Sequence, residues 1–102
     1  MTKQCRFNMT TFTNKEEILD AIYEVTGITY LDMRGNSRKR HLVDARTIFA
    51  RKMKDCSTLT EISRQMQKNH ATVKYYFDRY EEQMRYKDFR ELVKKIEERM
   101  KG

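Results

Sequence analysis

The scarcity of helix-breaking residues constrains this chain more than any other feature. Proline is absent from its 102 residues, and glycine stands only at positions 27, 35 and 102. Both residue types disfavour helix interiors, and neither occurs between residues 36 and 101. The sequence therefore predicts an all-α fold. A chain of this length supports one small domain.

Apolar residues that recur every three or four positions predict where the helices lie. Thr13 is the predicted N-cap of the first helix. Gly27 is predicted to end this helix as a left-handed cap. Residues 1–12 are therefore expected to form an N-terminal arm, and residues 13–102 a single helical domain. A longer helix is expected over residues 40–56, and a last amphipathic helix near the C-terminus. The predicted inward-facing residues are Ile18, Leu19, Ile22, Val25, Leu42, Ala45, Phe49, Met53, Cys56, Phe89, Leu92, Val93, Ile96 and Met100.

Two further helices, joined by a tight polar turn, predict a helix-turn-helix over about residues 58–84. The first begins at Thr58, which forms a capping box with Glu61. Residues 67–69 make the turn. The second helix opens on small or polar side chains, which such a helix can place against base edges in a DNA major groove. The predicted inward-facing residues of the two helices are Leu59, Ile62, Met66, Val73, Phe77, Tyr80 and Met84.

The positive charge is concentrated in one segment. Of the net charge of +7, all comes from residues 34–54, which hold eight basic residues and one acidic residue, Asp44. The remainder of the chain is neutral. A local excess of this kind is the footprint of a polyanion-binding surface, whereas even mixing would indicate only a solvated face. The sequence therefore favours nucleic acid as the partner.

Two groups of residues are candidates for DNA contact. Arg38, Lys39 and Arg40 form a basic loop that can follow a phosphate backbone, and an arginine can also enter a narrow A·T minor groove. At the start of the second helix of the motif, Asn69 suits adenine and the Ala71 methyl suits a thymine methyl. Taken alone, Asn69 is better explained as a simple N-cap and His70 as a surface histidine, but the combination with the basic loop favours DNA contact. The predicted base contacts at this helix are Asn69, His70, Ala71 and Thr72, with Lys68 and Lys74 as phosphate contacts.

The remaining features argue against other kinds of site. Cys5 and Cys56, even together with His41 and His70, show no metal-ligand spacing, so neither a metal nor a cofactor is expected. The N-terminus has no apolar signal region, and no apolar run approaches the roughly 20 residues of a membrane span. The sequence predicts a cytoplasmic protein.

Six segments in order resemble the C-terminal DNA-binding domain (domain IV) of the bacterial replication initiator DnaA. The resemblance covers roughly residues 17–80. The matching segments are Ile18–Val25, Tyr30-Leu31-Asp32-Met33, Ser37-Arg38-Lys39-Arg40, Val43-Asp44-Ala45-Arg46, Leu59-Thr60-Glu61-Ile62-Ser63 and Lys68-Asn69-His70-Ala71-Thr72-Val73. The family is bacterial and its members bind the nucleoid, so nucleoid association is implied here too.

The resemblance implies a helix-turn-helix bundle of the Trp-repressor type, here with an extra C-terminal helix. It implies that Arg38 reads the minor groove, and that Arg46 and Lys54 contact the DNA backbone from the long helix. Asn69 and Ala71 replace the family's aspartate and threonine at base-reading positions. The chain lacks a phosphate-binding loop and the length for an ATPase domain. We therefore expect a free-standing reader of double-stranded DNA that controls replication initiation or belongs to a phage or mobile element.

Two alternatives follow from the same sequence. The basic face can bind RNA, although aromatic residues on helices are a poor stacking platform. The C-terminal helix can dock to a protein partner or form a homodimer. An enzyme is not expected, because the chain shows no nucleophile–base pairing and no Gly-rich loop.

Overall fold

The computed structural model describes residues 8–101, with side chains for residues 14–100. Over this range the chain forms helices and no strand, which confirms the predicted all-α fold. The helices are α1 (Asn8–Thr26), α2 (Tyr30–Arg34), α3 (Arg40–Lys54), α4 (Leu59–Met66), α5 (His70–Gln83) and α6 (Lys87–Lys101).

Helix α1 begins earlier in the sequence than predicted and ends where predicted. It starts at Asn8 rather than after Thr13, because no proline or glycine separates these positions and a threonine does not by itself stop a helix. Residues 1–7 of the predicted arm lie outside the described residues. At the other end, Gly27 has φ of 78° and donates its N–H to the Tyr23 carbonyl at 2.7 Å. This is the predicted left-handed cap.

Helix α3 lies at the centre of the fold and contacts α1, α2, α4 and α5. Ile48, Phe49 and Met53 on α3 are completely buried. They pack in one core with apolar residues of the surrounding helices, among them Ile18, Ile22, Ile62, Met66 and Val73. Burial of this apolar surface is the main force that holds the bundle together. It also fixes α4 and α5 against α3.

Helix α6 extends the bundle by packing along α1. Phe89, Val93 and Ile96 are at most 3% exposed, and the Phe89 ring meets the buried Tyr80 ring edge-on at 5.8 Å. An ion pair between Lys52 and Glu97 ties α6 to α3 as well. The predicted extra C-terminal helix is present, and its apolar residues are used inside the chain. Docking of this helix to a protein partner or in a homodimer stays a prediction.

The helix-turn-helix is defined by side-chain and backbone caps. Thr58 accepts a hydrogen bond from the Glu61 N–H at 3.1 Å and begins α4. Helix α4 ends at Met66 and is capped by Gln67, whose backbone is left-handed (φ 56°, ψ 44°). The N–H of Lys68 then bonds the Ser63 carbonyl at 3.0 Å, which is the pattern of a Schellman cap. Three residues, 67–69, separate α4 from α5, as the sequence predicts.

Candidate nucleic-acid interface

The loop between α2 and α3 is held from beneath by Arg46. This side chain is 2% exposed and points toward the loop. Its Nε donates to the Met33 carbonyl at 3.0 Å, and its two terminal nitrogens donate to the carbonyls of Ser37 at 2.5 Å and Asp32 at 3.0 Å. The planar guanidinium suits such a role because its donors are fixed in a fork. Arg46 therefore shapes the loop.

Lys68, in the turn of the helix-turn-helix, holds the same loop from the other side. Its ammonium donates to the carbonyls of Arg34 at 3.0 Å and Gly35 at 2.6 Å. Burial, together with the nearby positive charge of Arg46, lowers the pKa of the Lys68 ammonium. The basic loop and the DNA-reading turn are thus joined directly.

These contacts change the predicted roles of two residues. Arg46 was expected to bind the DNA backbone, but it is buried and directs its hydrogen bonds at carbonyl oxygens of the protein. The structure thus shows Arg46 supporting the loop, and its contact with the DNA backbone stays a prediction. Lys68 was expected to bind phosphate, and two of its three donors are instead used within the chain.

The predicted loop residues are presented to solvent. Arg38, Lys39 and Arg40 are all exposed. Among the described residues no acidic side chain forms an ion pair with Arg38 or Lys39, and Arg40 lies 3.9 Å from Asp44 while remaining 74% exposed. An ion pair at that distance and exposure contributes little stabilisation, so it does not hold Arg40 in place. These three cations are therefore available to a polyanion.

The acidic residue of the basic segment is neutralised from α5. Arg79 forms an ion pair with Asp44 at 2.8 Å and also donates to the Thr47 hydroxyl at 3.0 Å. Both charged side chains are largely buried, at 12% and 14% exposure. Farther along α3, Arg51 pairs with Asp55 at 3.2 Å. The structure thus divides the basic segment into an exposed loop and a helix whose charges are mostly paired.

The N-terminus of α5 carries the predicted base-reading residues. Asn69 is its N-cap, and the Asn69 side-chain oxygen accepts a hydrogen bond from the Thr72 N–H at 2.8 Å. His70, Ala71 and Lys74 are exposed, and Thr72 is half-buried. The capping bond occupies part of the Asn69 amide, so a two-bond contact with adenine has to compete with the cap.

A cleft of about 680 Å³ separates the basic loop from α5. Within the described part of the chain, no acidic side chain lines it. Arg38 and Arg40 border it on the loop side, and Thr72 and Tyr75 border it on the helix side. Its floor includes the side chains of Arg46, Lys68 and Arg79. This concave surface, whose charged lining residues are all basic, can receive a phosphodiester strand.

Lys54 lies apart from this cleft. It is exposed at the C-terminal end of α3, and its ammonium is 4.9 Å from the centre of the Phe77 ring on α5.

Tyr75 and Arg79 also line the cleft, although the sequence did not lead us to predict either residue as a DNA contact. The available signal was spacing, since Tyr75 follows Ala71 by four residues and so shares its helix face. No sequence signal marks Arg79, because its partner Asp44 is distant in the chain.

Across the described side chains, no cluster of three or more His, Cys, Asp or Glu residues could hold a metal ion. Nor does any described helix combine the length and apolar character that a bilayer span requires.

Comparison with known families gives one match. The family model described as the bacterial dnaA protein helix-turn-helix matches residues 15–79. This span runs from α1 through most of α5 and leaves α6 outside. No curated protein and no solved structure matches the chain significantly. The matched domain is a DNA-binding rather than a catalytic one, which fits the expectation that the chain is not an enzyme.

Proposed function

The chain belongs to the family of bacterial DnaA helix-turn-helix domains, and from this premise we propose that it recognises a specific sequence in double-stranded DNA. The observation that carries the proposal is the cleft between the basic loop and α5. Exposed cations border it, and no acidic side chain among residues 14–100 lines it. Such a cleft fits one sugar–phosphate strand of a duplex.

The position of the cleft suggests how the duplex would be gripped. In B-DNA each sugar–phosphate strand separates a major groove from a minor groove. A strand seated in the cleft would therefore place α5 in the major groove and the loop in the adjacent minor groove. We propose that Arg38 enters the minor groove, where a narrow A·T tract concentrates negative potential.

On the other side of the strand, the N-terminus of α5 would face base edges. We propose that His70, Ala71 and Thr72 supply major-groove contacts, with a weaker contribution from Asn69 because its oxygen also caps the helix. Lys39, Arg40 and Lys74 would contact phosphates and set the position of the domain on the duplex. Lys54 is a further candidate for a phosphate farther along the DNA.

The biological setting is proposed on the family alone. A domain of this family suits control of replication initiation, or an equivalent role in a phage or mobile element. Because Asn69 and Ala71 differ from the residues typical of the family, the preferred site is expected to differ from the usual DnaA box.

A fluorescence-anisotropy titration at near-physiological salt tests the proposal. One labelled duplex would carry a DnaA box, a second a scrambled box, and a third the site recovered by selection from a random pool. We expect the selected duplex to bind tighter than the scrambled one by a factor on the order of 10³. A single-stranded RNA of matched length would serve as the competitor.

Two results of this titration would contradict the proposal. Equal binding to all three duplexes, with a steep salt dependence, would leave phosphate contact but refute sequence-specific recognition. Tighter binding to the RNA competitor would refute duplex DNA as the partner.

A further inference from the structure

Tyr75 is an exposed aromatic ring on an otherwise polar helix face. Its side chain is 55% exposed, and it borders the basic cleft from α5. Three other large apolar side chains are comparably exposed in the described chain, namely Tyr23, Leu31 and Tyr86, and none of them lines the cleft. The exposure of Tyr75 therefore coincides with the proposed DNA surface.

Tyr75 and Ala71 form a continuous apolar step along α5. They are four residues apart, which places them on one helix face a single turn apart. Both are exposed, and the charged Lys74 lies beside them. A methyl group followed by an aromatic ring gives a contact surface for another small apolar group.

The Tyr75 ring has an aromatic neighbour on the same helix. It packs against the ring of Tyr76, with ring centres 5.8 Å apart and planes inclined by 51°. Tyr76 is itself 5% exposed, and its hydroxyl lies beside the Arg46 guanidinium that shapes the loop. Tyrosine has only two side-chain torsions, so it loses little conformational freedom on binding.

From this arrangement we propose that Ala71 and Tyr75 read the C5-methyl group of a pyrimidine in the major groove. The inference rests on the proposed function. Thymine presents this methyl group in the major groove, and cytosine does not. A 5-methylcytosine presents the same group at the same place. The step would therefore favour thymine over cytosine and would also accept 5-methylcytosine.

The test changes the DNA first, so that no protein variant has to fold. In the selected duplex each thymine is replaced in turn by deoxyuridine, which removes only the methyl group. We expect one position at which this replacement weakens binding about fourfold, the effect of losing one buried methyl group. In a second series, a cytosine placed at that position should bind more weakly than 5-methylcytosine by a similar factor.

Protein variants then assign the effect to the ring. Tyr75→Ala should discriminate less between the thymine and deoxyuridine duplexes, because only the Ala71 methyl remains, whereas Tyr75→Phe should discriminate as the parent chain does. Tyr86→Ala removes a ring of nearly equal exposure outside the cleft and should also leave discrimination unchanged.

Two results would overturn the inference. One is equal binding of the parent chain to every thymine–deoxyuridine pair. The other is an equal loss of affinity for all DNA sequences in Tyr75→Phe and Tyr75→Ala, which would mean that the tyrosine hydroxyl binds a phosphate. In both cases a retained preference for the selected site over random DNA keeps the proposed function, while loss of that preference in the parent chain refutes the proposed function itself.

Discussion

Arg46 on α3 and Lys68 in the turn before α5 both bond backbone carbonyls at the end of α2 and in the loop that follows it. Arg46 bonds the carbonyls of Asp32, Met33 and Ser37, and Lys68 bonds those of Arg34 and Gly35. Two cations that the sequence offers as DNA contacts are thereby used to place the loop next to α5. The distance between the two proposed DNA-reading elements depends on these bonds.

Arg46→Met should destabilise the fold. It would leave three carbonyls without their donor, and we expect the free energy of unfolding to fall by about 2–4 kcal/mol. Urea denaturation followed by circular dichroism measures this. Arg38→Met, on the exposed part of the same loop, is the matched control and should change the value by less than about 0.5 kcal/mol. If Arg46→Met instead kept its stability and lost only DNA affinity, Arg46 would be a phosphate contact after all.

Arg38→Ala should weaken binding to the selected site about tenfold and relax the preference for A·T pairs at one end of it. The reason is loss of a cation from the minor groove rather than from a phosphate. Lys39→Ala should weaken binding to all sequences alike and reduce the slope of log affinity against log salt concentration by about one. Anisotropy titrations at several salt concentrations distinguish the two. Lys95→Ala, an exposed cation on α6, serves as the control. An effect of Lys95→Ala equal to that of Arg38→Ala would point to net charge alone.

Substitutions of Asn69 should separate capping from base reading. Asn69→Ala removes the bond to the Thr72 N–H and should lower the free energy of unfolding by about 1 kcal/mol. Asn69→Asp retains a cap and should keep the stability. In a binding selection Asn69→Asp should move the preferred base at one position toward cytosine, since a carboxylate accepts from cytosine N4. An unchanged selected site would show that Asn69 only caps the helix.

Gln67→Gly should stabilise the protein. Gln67 is the one non-glycine residue with positive φ among the described residues, and a side chain in that conformation costs about 1 kcal/mol. Relieving this cost should raise the melting temperature by roughly 4–8 °C. Lys94→Gly, inside the exposed face of α6, should instead lower stability by about 1 kcal/mol. A melting temperature that falls for both variants would contradict the assignment of strain to Gln67.

Stability should fall at alkaline pH. Burial raises the pKa of the Tyr76 and Tyr80 hydroxyls above the ordinary value of 10.0. The two neutral hydroxyls therefore contribute fully to the free energy of unfolding below pH 10. This contribution is lost as pH rises through the folded-state pKa values, because the unfolded chain ionises first. The pKa of Lys68 is lowered in the folded state, so the contribution of Lys68 to the free energy of unfolding rises as pH approaches 10.5.

Urea unfolding between about pH 8 and 11 measures this dependence. The double variant Tyr76→Phe, Tyr80→Phe should lose less unfolding free energy over this pH range than the parent chain does. Tyr23→Phe, which changes an exposed tyrosine, should behave as the parent chain. Identical profiles for all three proteins would assign the alkaline transition to other groups.

Local patterns in the sequence were enough for the secondary structure of the DNA-reading motif. Thr58 and Asn69 cap the two helices, and Gly27 ends the first helix in a left-handed conformation. Each of these features depends on residues within a few positions of one another, so a single sequence reveals it. The start of α1 was misplaced because a good N-cap residue at Thr13 does not prevent helix on either side.

The sequence by itself determined that the chain is helical, where the helix-turn-helix lies, which family it belongs to and which segment holds the positive charge. Only the tertiary structure decided which charges are free to meet DNA. Arg38 and Arg46 are indistinguishable as letters in a basic segment, yet one faces solvent and the other is buried under the loop. The difference arises because burial and hydrogen bonding depend on partners that are distant in sequence, as Asp44 and Arg79 also show.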